Sequence, residues 1–264
     1  MLGMVCACSS AATPPMDGGP PNDSSVSTKY VAEVEIIQNT NSASASGIFR
    51  EAPGIVYDDL GGNVEVYGCI TVSTSECVFR NNKGCPSPPS GPGVSADTIT
   101  IANGASSAPM APDTANANYI VYSYTSLPGL VWNPGDLVGV SAAGAEVPAF
   151  TGSVAFPEKA TVTTPTATST IDRTTPLPVA WSGATTGVLR LTILDASGAE
   201  ASCDFTAGAG TGSIPTKILA PLAAGSASID VSTRNVANVV VGDWTVALVA
   251  QQNIVIGTGN AKVQ

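Results

Sequence analysis

Six cysteines, Cys6, Cys8, Cys69, Cys77, Cys85 and Cys203, have the widest chemical repertoire in this 264-residue chain. Thiols can bind metals, attack carbonyls, carry lipids or pair as disulfides, and their surroundings decide which. The chain has no histidine, which excludes a Ser-His-Asp triad and every His-ligated zinc or iron site. No Cys-x-x-Cys pair is present to hold zinc by thiolates alone. Disulfide and lipid chemistry remain, both belonging to an oxidising, exported setting. Carboxylates offer the other route: Asp58 or Asp59 with Glu65 could act as acid and base on a glycoside. These acids sit in Asp58-Asp59-Leu60-Gly61-Gly62-Asn63, whose residue types make a turn. The segment lacks the Asp-x-Asp-x-Asp-Gly spacing and distal Glu of a calcium loop. No metal and no cofactor is expected.

Val5-Cys6-Ala7-Cys8 resembles a lipobox, with an aliphatic residue three before the cysteine and a small one directly before it. The resemblance implies lipidation at Cys8. If Cys6 leaves with the signal peptide and Cys8 takes the lipid, Cys69, Cys77, Cys85 and Cys203 remain, the even number that two disulfides need. Four cysteines allow three connectivities, and the preferred expectation is a local Cys77–Cys85 bridge with Cys69 joined to Cys203. Seven residues before Cys8 are too few for a full signal peptide, so a start roughly a dozen residues further upstream is expected. Residues 1–8 then read as a truncated lipoprotein signal remnant. Residues 9–28, SSAATPPMDGGPPNDSSVST, cannot bury enough apolar area to offset chain entropy and read as a disordered tether. Ser9 after the cysteine resembles the sorting signal for the outer membrane.

The elements that must position any site are strands. Charged residues make up 11% of the chain, against the ~25% usual in soluble proteins, so hydroxyls and small side chains cover much of the surface. Short Val-, Ile-, Thr- and Tyr-rich stretches recur between Gly, Pro and Asn, with no helical periodicity. The expected fold is all-β: two antiparallel β-sandwich, immunoglobulin-like domains over 29–156 and 157–264. In the first, YVAEVEI from Tyr30 alternates as a half-buried strand, 39–47 reads as a loop, and Cys77-Val78-Phe79 returns beside a strand ending at Val72. In the second, Leu177, Val179 and Trp181 share a face. Leu189, Leu191 and Ile193 point inward with Arg190 and Thr192 outward, Cys203 and Phe205 face the core, and Pro215 opens a helical turn.

Aromatic side chains are the candidates for ligand contact: Trp132 beside the turn Asn133-Pro134-Gly135-Asp136, and Tyr122 and Tyr124 on one face of a strand. The same rings also suit cross-strand packing and the capping of a sandwich end. Net charge is −10, from 20 acidic and 10 basic residues. That disfavours phosphate neutralisation, so no nucleic-acid partner is expected.

Asp172-Arg173-Thr174-Thr175-Pro176-Leu177-Pro178-Val179-Ala180-Trp181, Cys203-Asp204-Phe205, Gly212-Ser213-Ile214-Pro215 and Gly242-Asp243-Trp244 together resemble a family of uncharacterised myxobacterial surface lipoproteins. Gly144 to Phe150, GAEVPAF, extends the likeness into the first half, so that it covers most of residues 60–264. These are packing and turn motifs. They imply a surface location and a β-sandwich fold, with no activity. The function expected is a non-enzymatic, lipid-anchored cell-envelope protein, exported to the outer membrane or cell surface. It would be held to the membrane by lipid and act as a binding or structural module toward polysaccharide or envelope protein. An accessory subunit of a secretion or motility complex, pairing through a sandwich edge, is the alternative. A glycan-active enzyme using the carboxylate pair is the other.

Overall fold

The computed structural model describes residues 30–39, 42–51, 69–81, 93–104, 106–115, 120–127, 129–256 and 260–264. Within them the chain is all-β, with several sheets, none closed. The strands of the first half are β1 (Tyr30–Gln38), β2 (Ala43–Glu51), β3 (Cys69–Ser73), β4 (Cys77–Asn81), β5 (Ile99–Asn103), β6 (Ser106–Met110), β7 (Val121–Tyr124), β8 (Leu137–Ala142) and β9 (Phe150–Ala155). The second half adds β10 (Thr161–Thr164), β11 (Thr170–Ile171), β12 (Leu177–Ser182), β13 (Val188–Asp195), β14 (Glu200–Thr206), β15 (Thr211–Ile214), β16 (Gly225–Val241), β17 (Trp244–Ile254) and β18 (Ala261–Val263). One helical turn, α1 (Thr216–Leu219), follows Pro215 as expected. The stretch read as a loop over 39–47 instead becomes strand from Ala43, because Ala43 and Ala45 are small enough to be buried as β2 pairs with β1.

An 11-stranded sheet runs β3-β4-β14-β13-β16-β17-β1-β2-β7, with β18 on β16 and β11 on β18. Two smaller sheets, β6-β5-β8-β9 and β10-β12-β15, complete the fold. Strand β16 shows how they sit. Ala227 and Val231 belong to one hydrophobic core and Ala237, Val239 and Val241 pack against the other. All five are odd-numbered on a single strand, so they point to the same side. On β17, Val246, Leu248 and Ala250 belong to the first core and Ile254 to the second, again in one parity. Both small sheets therefore cover the same face of the large one, side by side. A polar seam divides them. Thr233 Oγ1 donates to Glu158 O at 2.6 Å, Asn235 Nδ2 to Ala155 O at 3.0 Å, and Gln252 Nε2 to Gln38 O at 3.0 Å.

The first core is closed by Phe49, which meets Tyr122 edge-on at 5.7 Å, and by Phe150, Trp132 and Phe156. The second is built on Trp181, 5.6 Å from Phe205, with Leu189, Leu191 and Ile193 behind them. A glycine admits close approach in each small sheet. A Cβ on Gly152 of β9 would collide with Val239 and come within 2.8 Å of Leu248 Cδ1, and one on Gly212 of β15 would come within 2.5 Å of Phe205.

Two expectations change here. Phe156 belongs to the first core and Ala160 to the second. The cores are nevertheless not the two stretches 29–156 and 157–264. β16 and β17 return to pack the first, and Cys77 and Phe79 of β4 enter the second. The disulfide pairing also differs. Cys77 and Cys203 are register partners on β4 and β14, both buried, and are bonded to each other. The hairpin of β3 and β4 presents β4 to β14, so Cys77 rather than Cys69 meets Cys203. Cys85, like Cys6 and Cys8, lies outside the described residues.

Candidate functional site

Because cores occupy one face of the large sheet, strand alternation sends its polar side chains to the other. On β13 the outward residues are Arg190 and Thr192, as the alternation of 187–194 predicts. Their cross-strand partners on β14 are Asp204 and Ser202. Arg190 donates from Nε to Asp204 Oδ1 at 2.6 Å and from Nη2 to Oδ2 at 2.5 Å, the bidentate geometry that fixes a guanidinium in plane. Thr192 Oγ1 and Ser202 Oγ lie 3.1 Å apart. One strand further, Arg80 of β4 faces Glu200 at 3.4 Å.

In the middle of this face Arg234 of β16 is only 1% exposed. Burial pulls its guanidinium below the ordinary arginine value and Arg190 adds to that, while Asp204, Glu35 and Glu33 oppose both. Glu35 of β1 is brought close because β1 pairs in parallel with β17, placing Glu35 beside Val249. Burial pushes the Glu35 carboxyl up, and the attraction of Arg234 and Arg190 only partly offsets it. Charges held this far from water on the outer face of a sheet are a costly arrangement that packing alone does not require.

Two depressions open on this face. One, of about 270 Å³, is lined by Glu35, Arg190, Thr192, Asp230, Gln251 and Asn253, among others. Gln251 Nε2 donates to Asn253 Oδ1 at 2.9 Å, so these amides are set in place. The other, of about 280 Å³, lies over β1, β2 and β7, with Glu33, Ser46, Ile48, Val121 and Ser123 in its lining. Glu35 borders the first depression and Glu33 the second, two residues apart on one strand. The surface offers carboxylate and amide acceptors together with amide, hydroxyl and guanidinium donors. Among the described residues no group of three or more His, Cys, Asp or Glu is arranged to hold a metal ion, and no helix is long and apolar enough to cross a membrane.

The chain matches no protein-family model and no curated protein.

The aromatic candidates belong to the first core, and of the three only Tyr122 also borders the second depression. Trp132 is 2% exposed and stacks on Phe156 at 6.1 Å, with its backbone clasped by the Gln38 amide at 2.9 and 3.1 Å. Tyr122 is 1% exposed, and its hydroxyl accepts from Ala96 N at 2.8 Å. Tyr124 is half-buried against the same core. Trp132 and Tyr122 thus serve packing, and neither turns a ring face to solvent. Asp58, Asp59 and Glu65, the carboxylates weighed as an acid/base pair, lie outside the described residues. Sequence alternation already set Glu33, Glu35, Arg190 and Thr192 outward. It held no signal that residues from opposite ends of the chain would share one surface.

Proposed function

We propose that this protein is an exported, lipid-anchored cell-envelope protein, of the myxobacterial surface lipoprotein type it resembles, whose folded body is a non-enzymatic binding module. The body consists of two immunoglobulin-like β-sandwiches that share one sheet. Cys8 carries the lipid, residues 9–28 hold the body off the outer membrane or cell surface, and polysaccharide or another envelope protein is the partner. The observation that carries this is the buried Cys77–Cys203 disulfide, which ties strands 126 residues apart and belongs to an oxidising compartment. The cysteine count and the lipobox-like Val5-Cys6-Ala7-Cys8 support it from the sequence side. Fractionation followed by intact mass tests the anchor: a lipid-modified chain beginning at Cys8 in the membrane fraction is expected. An unmodified chain in the soluble fraction overturns it.

One feature favours the second reading, an accessory subunit of a secretion or motility complex. Among the described residues none of the sheets is closed, and β3 and β7 end the path of the large one, with β7 meeting only Asp113 in a single bridge beyond it. Open edges accept a partner's strand. Crosslinking and pull-down from intact cells tests this reading, which predicts a protein joined to the chain through β3 or β7.

A further inference from the structure

We propose that the outer face of the large sheet, from Glu200 and Arg190 across Glu35 to Ile48 and Val121, is a binding groove for a hydroxyl-rich polysaccharide chain that is uncharged or amine-bearing. The proposal rests on the binding-module reading and adds to it a location, a ligand class and an excluded class.

Shape comes first. The two depressions, about 270 and 280 Å³, lie on one face of one sheet, one bordered by Glu35 and the other by Glu33, two positions apart on β1. Their lining residues come from β14, β13, β16, β17, β1, β2 and β7, which are successive strands. Six inter-strand steps span about 29 Å at the usual strand spacing, long enough for several sugar rings laid across the strands. A polymer fits such a path better than a compact metabolite does.

Lining chemistry comes second. Glu35, Asp230, Gln251 and Asn253 provide paired acceptors and amide donors that match neighbouring hydroxyls. Ile48 and Val121 offer apolar floor to the C–H face of a ring. A peptide strand has less to hold here. The backbone groups of interior strands are taken up by sheet pairing, so what faces outward is side chain rather than an open edge. The lining is also fixed in advance: Asp204 clamps Arg190, Ser202 meets Thr192, and Asn253 holds Gln251. Little side-chain entropy remains to be lost on binding.

Charge sets the excluded class. Glu33, Glu35, Glu200, Asp204 and Asp230 outnumber Arg80, Arg190 and Arg234 on this face, where Asp204 engages Arg190 and Glu200 faces Arg80. The whole chain carries −10. A polyuronate or phosphorylated glycan would meet repulsion, and an ammonium group attraction.

The test uses the full-length chain in affinity electrophoresis and calorimetry. The probes are cello-oligosaccharide, chitosan oligomer and polygalacturonate. The variants are Glu35→Gln with Asn253→Ala in one depression, and Ile48→Arg in the other, with circular dichroism confirming the fold of each. Wild type should bind the neutral or the amine-bearing probe and ignore polygalacturonate. Each variant should weaken binding roughly tenfold, about one hydrogen bond to a charged group or one buried apolar side chain. Failure to bind either of the first two probes, equal binding of polygalacturonate, or unchanged affinity in both variants overturns the proposal. None of these results bears on the lipid at Cys8, so the anchor and the groove stand or fall separately.

Discussion

Replacing Cys77 and Cys203 together by alanine removes the covalent tie between β4 and β14. The two residues are 126 positions apart. In the chain-entropy treatment, freeing a loop of that length returns about 17 cal/mol/K to the unfolded chain, or about 5 kcal/mol at 25 °C. Both residues are buried in the second core, against which Val72 also packs. The substitution leaves only a small void there, so the entropic contribution dominates. In a chain of this size a loss of that order lowers the melting temperature by roughly 10–20 °C. Urea unfolding followed by tryptophan fluorescence, to which Trp181 of the same core contributes, measures it. Non-reducing peptide mapping of the wild type should join the peptides holding Cys77 and Cys203. A double variant within about 1 kcal/mol of wild type would refute the loop argument, and a Cys77–Cys85 peptide would refute the pairing itself.

Glu35→Gln should raise the melting temperature at pH 7. Burial holds the folded carboxyl above 4.5, so below that value the proton is bound in both states and folding incurs no penalty. As pH rises through and beyond 4.5 the unfolded chain ionises first and gains relative stability. The benefit of Gln should therefore shrink to nothing near pH 4, and a benefit independent of pH would contradict the assigned cause. Gly152→Val should cost about 2–3 kcal/mol by forcing β9 off Val239 and Leu248. Denaturant titration checks it, and a neutral result would mean that the two sheets are not in close contact there.

Local alternation made the second half legible. Trp181, Leu189, Leu191, Ile193, Cys203 and Phe205 all face the core, and Arg190 and Thr192 face away, because a period of two needs only a few residues to express itself. Pairing across the chain was not legible. Nothing in YVAEVEI or in WTVALVA says that Tyr30 aligns with Trp244, yet this parallel pairing is what brings Glu35 to Arg234. The strand β2, ASASGIFRE, begins with weak strand formers and reads as a loop until its small residues are seen fitting under the four-stranded sheet. The strand β6 carries Pro109, which masks it in the sequence; it sits at an edge, where a missing N–H is tolerated. The site was hidden for the same reason as the disulfide. Its residues lie on seven strands whose neighbours are set by topology rather than by sequence distance.

The position of β1 bears on how the molecule carries load. Tension arriving from residues before Tyr30 enters the fold along the axis of β1. That strand is hydrogen-bonded over its whole length on both sides, to β17 in parallel and to β2 antiparallel. Force along the strand strains these two ladders in shear, with many bonds resisting together, whereas a strand at the margin of the sheet would unzip one bond at a time. A body pulled from this end yields late, and the surface formed by β1 with its neighbours keeps its shape while the pull lasts.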